Sequence, residues 1–414
     1  MDGKVKIIKY LIVFFLLLLT MPCRLMAQPG IISFGNLKII PSLSGQEIYD
    51  SNIYMKNGSD ETANKIESDW IYHVMPGIML NYTIPERGYI NLGYQVDWAF
   101  YNKNNDNDWK NQRVILGVDY NAPGGMILGI NNLWAISEDP YGSADQYAVG
   151  RVTKRWNDEL KSKAGYNFGK VFKVLLYYNF FKQDYNNTLD YAQNYNSNEF
   201  GLGLETKIMP KTWGFIRYHY GQRDYNTFYG GLTSDYNSDN NWHRVNAGLT
   251  WDAAAKLSGE LNFGYIWKRY KNEFTDALQT ARREDIDTWI AATSISYKPF
   301  TTTTLTLNIG RTVFDTDAVT IDYFEDTGVG LSLNQVILTK FVFNLSGYYS
   351  RDVFNLPATN NRVDNNYTAI AGLNYNIQDW MTVGVSYMFM KKDCNITVNE
   401  FRDERFMATL KFLY

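Results

Sequence analysis

The sequence predicts an all-β protein, a transmembrane antiparallel up-and-down β-barrel of about eighteen strands with short periplasmic turns and long extracellular loops. Three observations predict this fold: apolar and polar residues alternate along many segments, the connections alternate between short and long, and aromatic residues are abundant. The 414 residues include 32 Tyr, 23 Phe and 11 Trp. Soluble cores use mainly Leu, Ile and Val, whereas membrane barrels place aromatic rings where lipid meets water.

The N-terminal residues 1–27 predict a cleavable secretory signal peptide. Three lysines within the first nine residues precede the apolar run Tyr10–Met21, and Ala27 provides a small residue at the expected cleavage position. A membrane-spanning helix needs ~20 apolar residues, so this run of 12 is too short to stay as an anchor. We therefore expect a periplasmic N-terminal segment over 28–37 and the barrel over 38–414.

One segment, Tyr89–Tyr101, illustrates the alternation. Successive side chains of a β-strand point to opposite faces, so its residues divide into two walls. The apolar wall consists of Ile90, Leu92, Tyr94, Val96, Trp98 and Phe100, and the other wall of Asn91, Gly93, Gln95, Asp97 and Ala99. The pattern returns in segments 245–251, 257–267 and 367–377. Because soluble sandwiches alternate too, this pattern alone does not decide between the two folds.

The connections between the predicted strands alternate in length. Short turns are found at Pro85–Gly88, Ala122–Gly125, Phe168–Val171, Pro210–Thr212, Ala253–Lys256, Lys298–Thr301 and Gln378–Trp380. Long polar stretches lie between them at Asn102–Lys110, Glu138–Arg155, Tyr185–Ser197, Asn226–Asn241, Lys271–Asp285 and Asp352–Asp364. This arrangement puts all turns at one end and all loops at the other, which is typical of outer-membrane barrels and not of sandwiches.

Eighteen strands are predicted to begin near Lys38, Trp70, Tyr89, Asn111, Met126, Trp156, Phe172, Asn198, Trp213, Trp242, Leu257, Asp287, Thr302, Tyr323, Thr339, Asn365, Met381 and Arg402. An even number returns the C-terminus to the periplasmic side. Sixteen strands stay open as an alternative, because Asn- and Gly-rich loops can hide or imitate a hairpin. The last strand alternates apolar residues up to the terminal Tyr414 and resembles the signal read by the barrel assembly machinery.

Composition and motifs argue against several functional classes. A net charge of −3 and a pI near 5.8 show no excess of basic residues of the kind that binds nucleic acid. The three histidines, His73, His219 and His243, fall in no Ser–His–carboxylate arrangement, so we predict that the chain is not an enzyme. The sequence has neither a phosphate-binding glycine loop nor a complete calcium-loop pattern, and no cofactor or metal is predicted.

An interior of sixteen to eighteen strands is too wide for side chains to fill and is expected to hold water. The charged residues that alternation predicts on this lumen wall are Arg113, Asp119, Lys161, Lys163, Glu199, Glu205, Arg217, His219, Arg223, Arg244, Glu260 and Lys268. Their mixed signs favour hydrated polar solutes over ions of one sign. In the alternative interpretation these residues only pair across the lumen and keep it wet.

The opening of the predicted barrel resembles a known family. Segments Ile40–Ser44, Tyr49–Tyr54, Ser68–Trp70, Pro76–Ile78 and Leu80–Tyr82 resemble, in order and spacing, the start of the Putative beta-barrel porin 2 family. The resemblance implies an outer-membrane barrel of a Gram-negative-type bacterium, of a kind often linked to exopolysaccharide production and export. Exporters of anionic polysaccharides are noted for a strongly basic lumen, and the mixed charges here depart from that pattern.

Two functional hypotheses follow. The first is a passive, porin-like channel for a hydrophilic solute, with an exopolysaccharide as the solute that the resemblance implies. The second is a non-conducting structural or adhesive barrel that binds glycans through its Asn- and Tyr-rich extracellular loops. The expected partners are outer-membrane lipid and lipopolysaccharide, the barrel assembly machinery and, for a channel, a polysaccharide; nucleic acid is not expected.

Overall fold

The computed structural model describes residues 31–60, 65–138, 154–169, 171–187, 193–225, 239–251, 256–271, 273–275, 280–282, 285–315, 323–355 and 362–413. The predicted signal peptide over 1–27 and the C-terminal residue Tyr414 lie outside these residues. In the described part of the chain, no helix combines the length and the apolar character needed to cross a membrane.

The strands follow one another along the whole described chain. They are β1 (Ile32–Phe34), β2 (Leu37–Asp50), β3 (Asp69–Ile84), β4 (Gly88–Tyr101), β5 (Trp109–Asn121), β6 (Met126–Ser137), β7 (Arg155–Phe168), β8 (Phe172–Tyr185), β9 (Tyr195–Met209), β10 (Thr212–Tyr225), β11 (Asn240–Trp251), β12 (Leu257–Tyr270), β13 (Glu273–Thr275), β14 (Thr280–Arg282), β15 (Ile286–Phe300), β16 (Thr303–Asp315), β17 (Tyr323–Ile337), β18 (Phe341–Phe354), β19 (Arg362–Gln378), β20 (Met381–Cys394) and β21 (Phe401–Leu413). Short 3-10 turns span Asn105–Asn107 and Thr397–Asn399.

Eighteen of these strands, β2–β12 and β15–β21, form a closed antiparallel barrel in which each strand pairs with its neighbours in chain order. The first and last, β2 and β21, pair over Ser42–Asp50 and Arg405–Leu413 and seal the ring. Strand β1 pairs with Leu37–Ile39 of β2, beyond the end of β21, and β13 pairs only with β14. In lipid such closure satisfies every backbone N–H and C=O group inside the protein.

The prediction of eighteen strands is confirmed, and the alternative of sixteen is wrong. Each predicted start lies within three residues of the observed one, with the largest differences at β9 and β19. The segment predicted over 28–37 differs in detail, because Ile32–Phe34 is the short strand β1 and β2 already begins at Leu37. Three residues are too few to reveal a strand by their alternation.

The outer face carries the apolar residues of the alternation. Large apolar side chains exposed on it include Leu176, Leu202, Ile216, Phe263, Leu331 and Leu345. Aromatic rings border this band: on β18, Phe341 stacks on Tyr375, and eight residues further Tyr349 packs against Tyr367. Eight residues span roughly 27 Å along a strand, or about 21 Å across a bilayer at the usual strand tilt. The band therefore has about the height of the hydrocarbon layer.

The periplasmic turn between β17 and β18 contains no Gly, Pro or Asn, and sequence analysis does not identify it as a short turn. Its residues Leu338 and Thr339 adopt left-handed conformations with φ of 49° and 62°. The loop has three residues, because Ile337 pairs with Phe341, and the Lys340 N–H donates a 2.7 Å hydrogen bond to the Leu338 carbonyl oxygen. Positive φ angles in hairpin loops are usually adopted by Gly, Asn or Asp. Leu and the β-branched Thr therefore hold this turn at a conformational cost.

Combining Leu338→Asn with Thr339→Gly should raise the free energy of unfolding by about 1–2 kcal/mol, because Asn and Gly accept positive φ with less strain. Urea unfolding in phospholipid vesicles measures the change. The control places Asn-Gly at Asp379 and Trp380, a two-residue turn without a positive φ. An equal gain at both turns would contradict the conformational explanation.

Candidate functional site: the inner wall of the barrel

The inner wall consists of the residues that alternate with the exposed apolar band. All the charged residues predicted to face the lumen lie on this wall and contact other inner-wall side chains: Arg113, Asp119, Lys161, Lys163, Glu199, Glu205, Arg217, His219, Arg223, Arg244, Glu260 and Lys268. That they line a conducting pore stays a prediction.

The layer of the wall nearest the periplasm contains a chain of ion pairs. Glu205 lies 3.2 Å from Lys173 and 3.1 Å from Arg217, and Arg217 lies 2.9 Å from Glu260. The ammonium group of Lys173 also sits 3.6 Å above the ring of Trp213. The Glu205 side chain is only 7% exposed. Strands β8, β9, β10 and β12 each contribute one of these charges, so the row of ion pairs links the strands side by side.

Glu199 is the centre of the middle layer. Arg244 and Asn179 each donate a hydrogen bond of 2.9 Å to its Oε1 atom, and the indole N–H of Trp242 donates one of 3.0 Å to Oε2. The Nδ1 atom of His219 lies 3.1 Å from Oε1. With its side chain 11% exposed, Glu199 has exchanged most of its water for these groups. A carboxylate so enclosed needs such partners to stay ionised.

Asp315, at the extracellular end of β16, is the centre of the third layer, which lies nearest the extracellular side. Its side chain is fully buried, lies 2.6 Å from Arg223 and accepts a 2.6 Å hydrogen bond from the Tyr270 hydroxyl. It also forms an ion pair with Lys268. Sequence analysis identifies Arg223 and Lys268 but misses Asp315, because alternation along β16 assigns that residue to the outer face.

We call the three layers the charged arc; it comprises Lys173, Glu199, Glu205, Arg217, His219, Arg223, Arg244, Glu260 and Lys268 on β8–β12, together with Asp315 at the end of β16. The other predicted residues form smaller groups beside it, namely Arg113 with Gln95, Asp119 with Lys163, and Lys161 with Glu159. The ion-paired side chains among these are 34–64% exposed. Solvent screens such pairs, and each stabilises the fold by only about 0–1 kcal/mol.

A second part of the inner wall, the periplasmic half of β15–β20, is polar but uncharged, whereas the extracellular half of these strands carries Asp326, Asp352, Asp364 and Lys392 on the same face. Side chains of the periplasmic half bond across neighbouring strands in four pairs: Ser294 with Asn308, Ser296 with Thr306, Asn334 with Asn344, and Asn376 with Thr382. We call this surface the neutral arc. Hydroxyl and amide groups can both donate and accept hydrogen bonds. A solute inside the barrel would therefore meet compensated charges on one side and neutral hydrogen-bonding groups on another.

Two glycines allow large rings of the charged arc to lie flat against the wall. A Cβ atom added to Gly221 would come within 2.1 Å of the Trp242 ring, and one added to Gly201 within 2.5 Å of the His219 ring. Any larger residue would push these rings towards the lumen. Glycine therefore preserves both the free width of the interior and the position of Trp242 beside Glu199.

The remaining histidines contact single polar partners. The Nδ1 atom of His73 lies 2.9 Å from Asp97, and that of His243 lies 2.7 Å from the Tyr218 hydroxyl. Among the residues that the structure describes, no group of three or more His, Cys, Asp or Glu side chains is arranged to hold a metal ion. The expectation that the chain is not an enzyme stays a prediction.

Comparison with known proteins assigns this barrel to a family. The Putative beta-barrel porin 2 family matches residues 28–414. The chain belongs to this family. As a member of the Putative beta-barrel porin 2 family, it is a porin-like barrel of a Gram-negative outer membrane. The resemblance seen in the first strands is thus confirmed over the whole barrel, whereas the link to exopolysaccharide stays a prediction.

Solved structures similar to this porin-family barrel include the following three proteins. OccAB4 of Acinetobacter baumannii shares 11% identity over 91% of this chain and 98% of its own, with a TM-score of 0.44. OpdK of Pseudomonas aeruginosa shares 9% over 91% and 99%, with a TM-score of 0.44. The siderophore receptor PirA of P. aeruginosa shares 6% over 90% and 80%, with a TM-score of 0.39. No curated protein matches the chain. At these values the likenesses carry no argument about function.

Proposed function

We propose that this member of the porin family is a passive channel for hydrophilic solutes that are uncharged or weakly charged. The observation that carries the proposal is the division of the inner wall into the charged arc and the neutral arc. Each basic residue of the charged arc contacts an acidic residue at 3.2 Å or less. Compensated pairs give a weak net field along the axis, so neither cations nor anions are strongly selected.

The neutral arc favours carbohydrates among such solutes. Its serine, threonine and asparagine side chains can exchange hydrogen bonds with sugar hydroxyl groups without binding them tightly. An exopolysaccharide, which the family resemblance implies, fits this wall as a neutral or sparsely charged chain. A densely anionic polymer would need a large excess of basic residues, and the charged arc does not provide it, because its five Lys and Arg residues face the four carboxylates of Glu199, Glu205, Glu260 and Asp315.

Planar-bilayer recordings of the refolded, processed chain test the proposal. We expect discrete conductance steps and, in a salt gradient, a reversal potential close to zero, because the charges of the charged arc are paired. Liposomes that contain the barrel should swell in neutral oligosaccharides faster than empty liposomes. A barrel that neither conducts nor admits neutral sugars would overturn the channel proposal, and strong anion selectivity would overturn the assigned solute class.

The alternative, a non-conducting adhesive barrel, depends on the long extracellular loops. Large parts of these loops, such as 139–153 and 226–238, lie outside the described residues. No observation on the described residues favours adhesion over passage, and the alternative stays a hypothesis.

We also propose a lipopolysaccharide contact on the outer face, just beyond the extracellular aromatic border. Four outward-facing ion pairs occur there, on five strands: Lys182 with Asp184, Arg269 with Asp287, Lys391 with Asp393, and Arg402 with Glu404. The basic members can bind lipid phosphates. Combining Lys391→Gln with Arg402→Gln should lower the amount of lipopolysaccharide retained on purification, and unchanged retention would contradict the contact.

A further inference from the structure

The barrel wall parts between β15 and β16 at their extracellular ends. Their hydrogen-bond ladder ends at the pair Ala291 and Arg311. Strand β15 nevertheless continues to Ile286, paired with β12, and β16 continues to Asp315, paired with β17. The last residues of each strand are therefore paired on one side only, and the β16–β17 end is free to leave the wall.

The β16 end leaves the wall towards the lumen. Strand order separates β16 from β10 by β11, β12 and β15, and four strand spacings of ~4.8 Å make roughly 19 Å along the wall. Asp315 nevertheless lies 2.6 Å from Arg223 of β10, and it accepts a 3.2 Å hydrogen bond from Asn240 of β11. One arginine and one aspartate side chain do not bridge that separation, so the end of β16 must fold inside β15.

Burial on β15 agrees with this direction. The inward side chains of Ile286 and Ile290 are 3% and 7% exposed, although they face the lumen at the point where the ladder is missing. Phe314, which precedes Asp315, is 39% exposed and stacks on Phe324 at 5.0 Å. The β16 end thus covers β15 with one face and presents an aromatic face to the interior.

Arg311 fills the gap that the parted strands leave. Its guanidinium donates hydrogen bonds to the Trp289 carbonyl oxygen at 3.1 Å and to the Thr288 hydroxyl at 3.2 Å, both on β15. It also binds Glu325 of β17 at 2.7 Å. One side chain therefore replaces part of the missing ladder and anchors β15 to the parted hairpin.

We propose that the extracellular end of β16 and β17 is a constriction element of the lumen, held in its inward position by Asp315. The inference rests on the proposed channel function and assigns the regulation of that channel. The latch is the set of contacts that Asp315 makes with Arg223, Lys268, Tyr270 and Asn240. When these contacts break, the free edge of β15 at Ile286–Ile290 can receive β16, so the ladder is completed and the lumen widens.

The test compares Asp315→Asn with Asp326→Asn in planar bilayers. Asp326 is a second inner-wall carboxylate, on β17, and it has no basic partner among the described residues. Both variants remove one negative charge, but only the first breaks the latch. We expect Asp315→Asn to raise single-channel conductance roughly 1.5- to 2-fold and Asp326→Asn to change it much less. Equal changes in both variants would overturn the latch.

Hydrogen exchange of the same variants in detergent gives a second measurement that does not require conduction. Asp315→Asn should slow the exchange of amides in 286–290 and 312–315, because the two edges pair, whereas Asp326→Asn should leave it unchanged. Slower exchange in a barrel that never conducts would support the latch and overturn the channel. If the barrel conducts but Asp315→Asn alters neither its conductance nor its hydrogen exchange, the result would support the channel and overturn the latch.

Discussion

The substitution Leu345→Arg should lower the free energy of unfolding of the barrel by roughly 2–4 kcal/mol, the cost of an arginine on the lipid face near the bilayer midplane. Leu345 is 46% exposed on the outer face and lies halfway between the aromatic borders at Phe341 and Tyr349. Its neighbours across the strands are Leu333 and Ala371, neither of which can satisfy a guanidinium group. Urea unfolding in phospholipid vesicles, followed by tryptophan fluorescence, measures the loss.

The adjacent residue provides the matched control. Ser346 lies on the inner face at the same depth, opposite Ser332. Ser346→Arg should change the free energy of unfolding by no more than about 0.5 kcal/mol, because its guanidinium remains in water. Equal losses for the two variants would mean that the outer and inner faces are assigned wrongly.

The second large effect is expected at the centre of the charged arc. Glu199→Gln should lower the free energy of unfolding by about 2–3 kcal/mol, since it leaves enclosed cationic and N–H groups without their counter-charge. Arg244, His219 and Trp242 all depend on this carboxylate. The loss of one negative charge should also shift the reversal potential towards anion selectivity. Urea unfolding and bilayer recordings measure the two effects separately.

Glu159→Gln is the matched control for this prediction. Glu159 is also an inner-wall carboxylate, but it is 34% exposed and its partner Lys161 is 64% exposed. Exposed pairs stabilise by about 0–1 kcal/mol, so this variant should lose little stability while removing the same charge. If both variants lose equally little stability, the network around Glu199 does not stabilise the barrel.

The sequence is sufficient to predict most of the fold, because lipid imposes one rule on every strand. An outward side chain must be apolar and an inward one can be polar, so strands such as β4 and β12 show their orientation in their residues. The same rule predicts the inner-wall position of residues such as Arg217 and Glu260, which contact each other. Partners on different strands can therefore be assigned to one surface before their contacts are known.

The features that sequence analysis does not predict lie where this rule does not apply. Asp315 lies beyond the point where β16 leaves the wall. Its place in the apolar and polar alternation therefore no longer indicates which way its side chain points. The turn at Leu338 and Thr339 adopts positive φ angles without turn-forming residues. The pairing of Glu199 with Arg244 and Trp242 depends on strand register, which alternation alone does not fix.

Sealing of the ring by β2 and β21 joins residues that protein synthesis separates in time. The Gln46 side chain donates a hydrogen bond to Thr409, and Ser51 donates one to Asp403, across 363 and 352 positions of the chain. Throughout translation and export, β2 therefore carries a bare edge that another copy could capture. The earliest barrel strand to leave the ribosome is the last to be completed, so transit across the periplasm is the stage at which this protein most needs a chaperone.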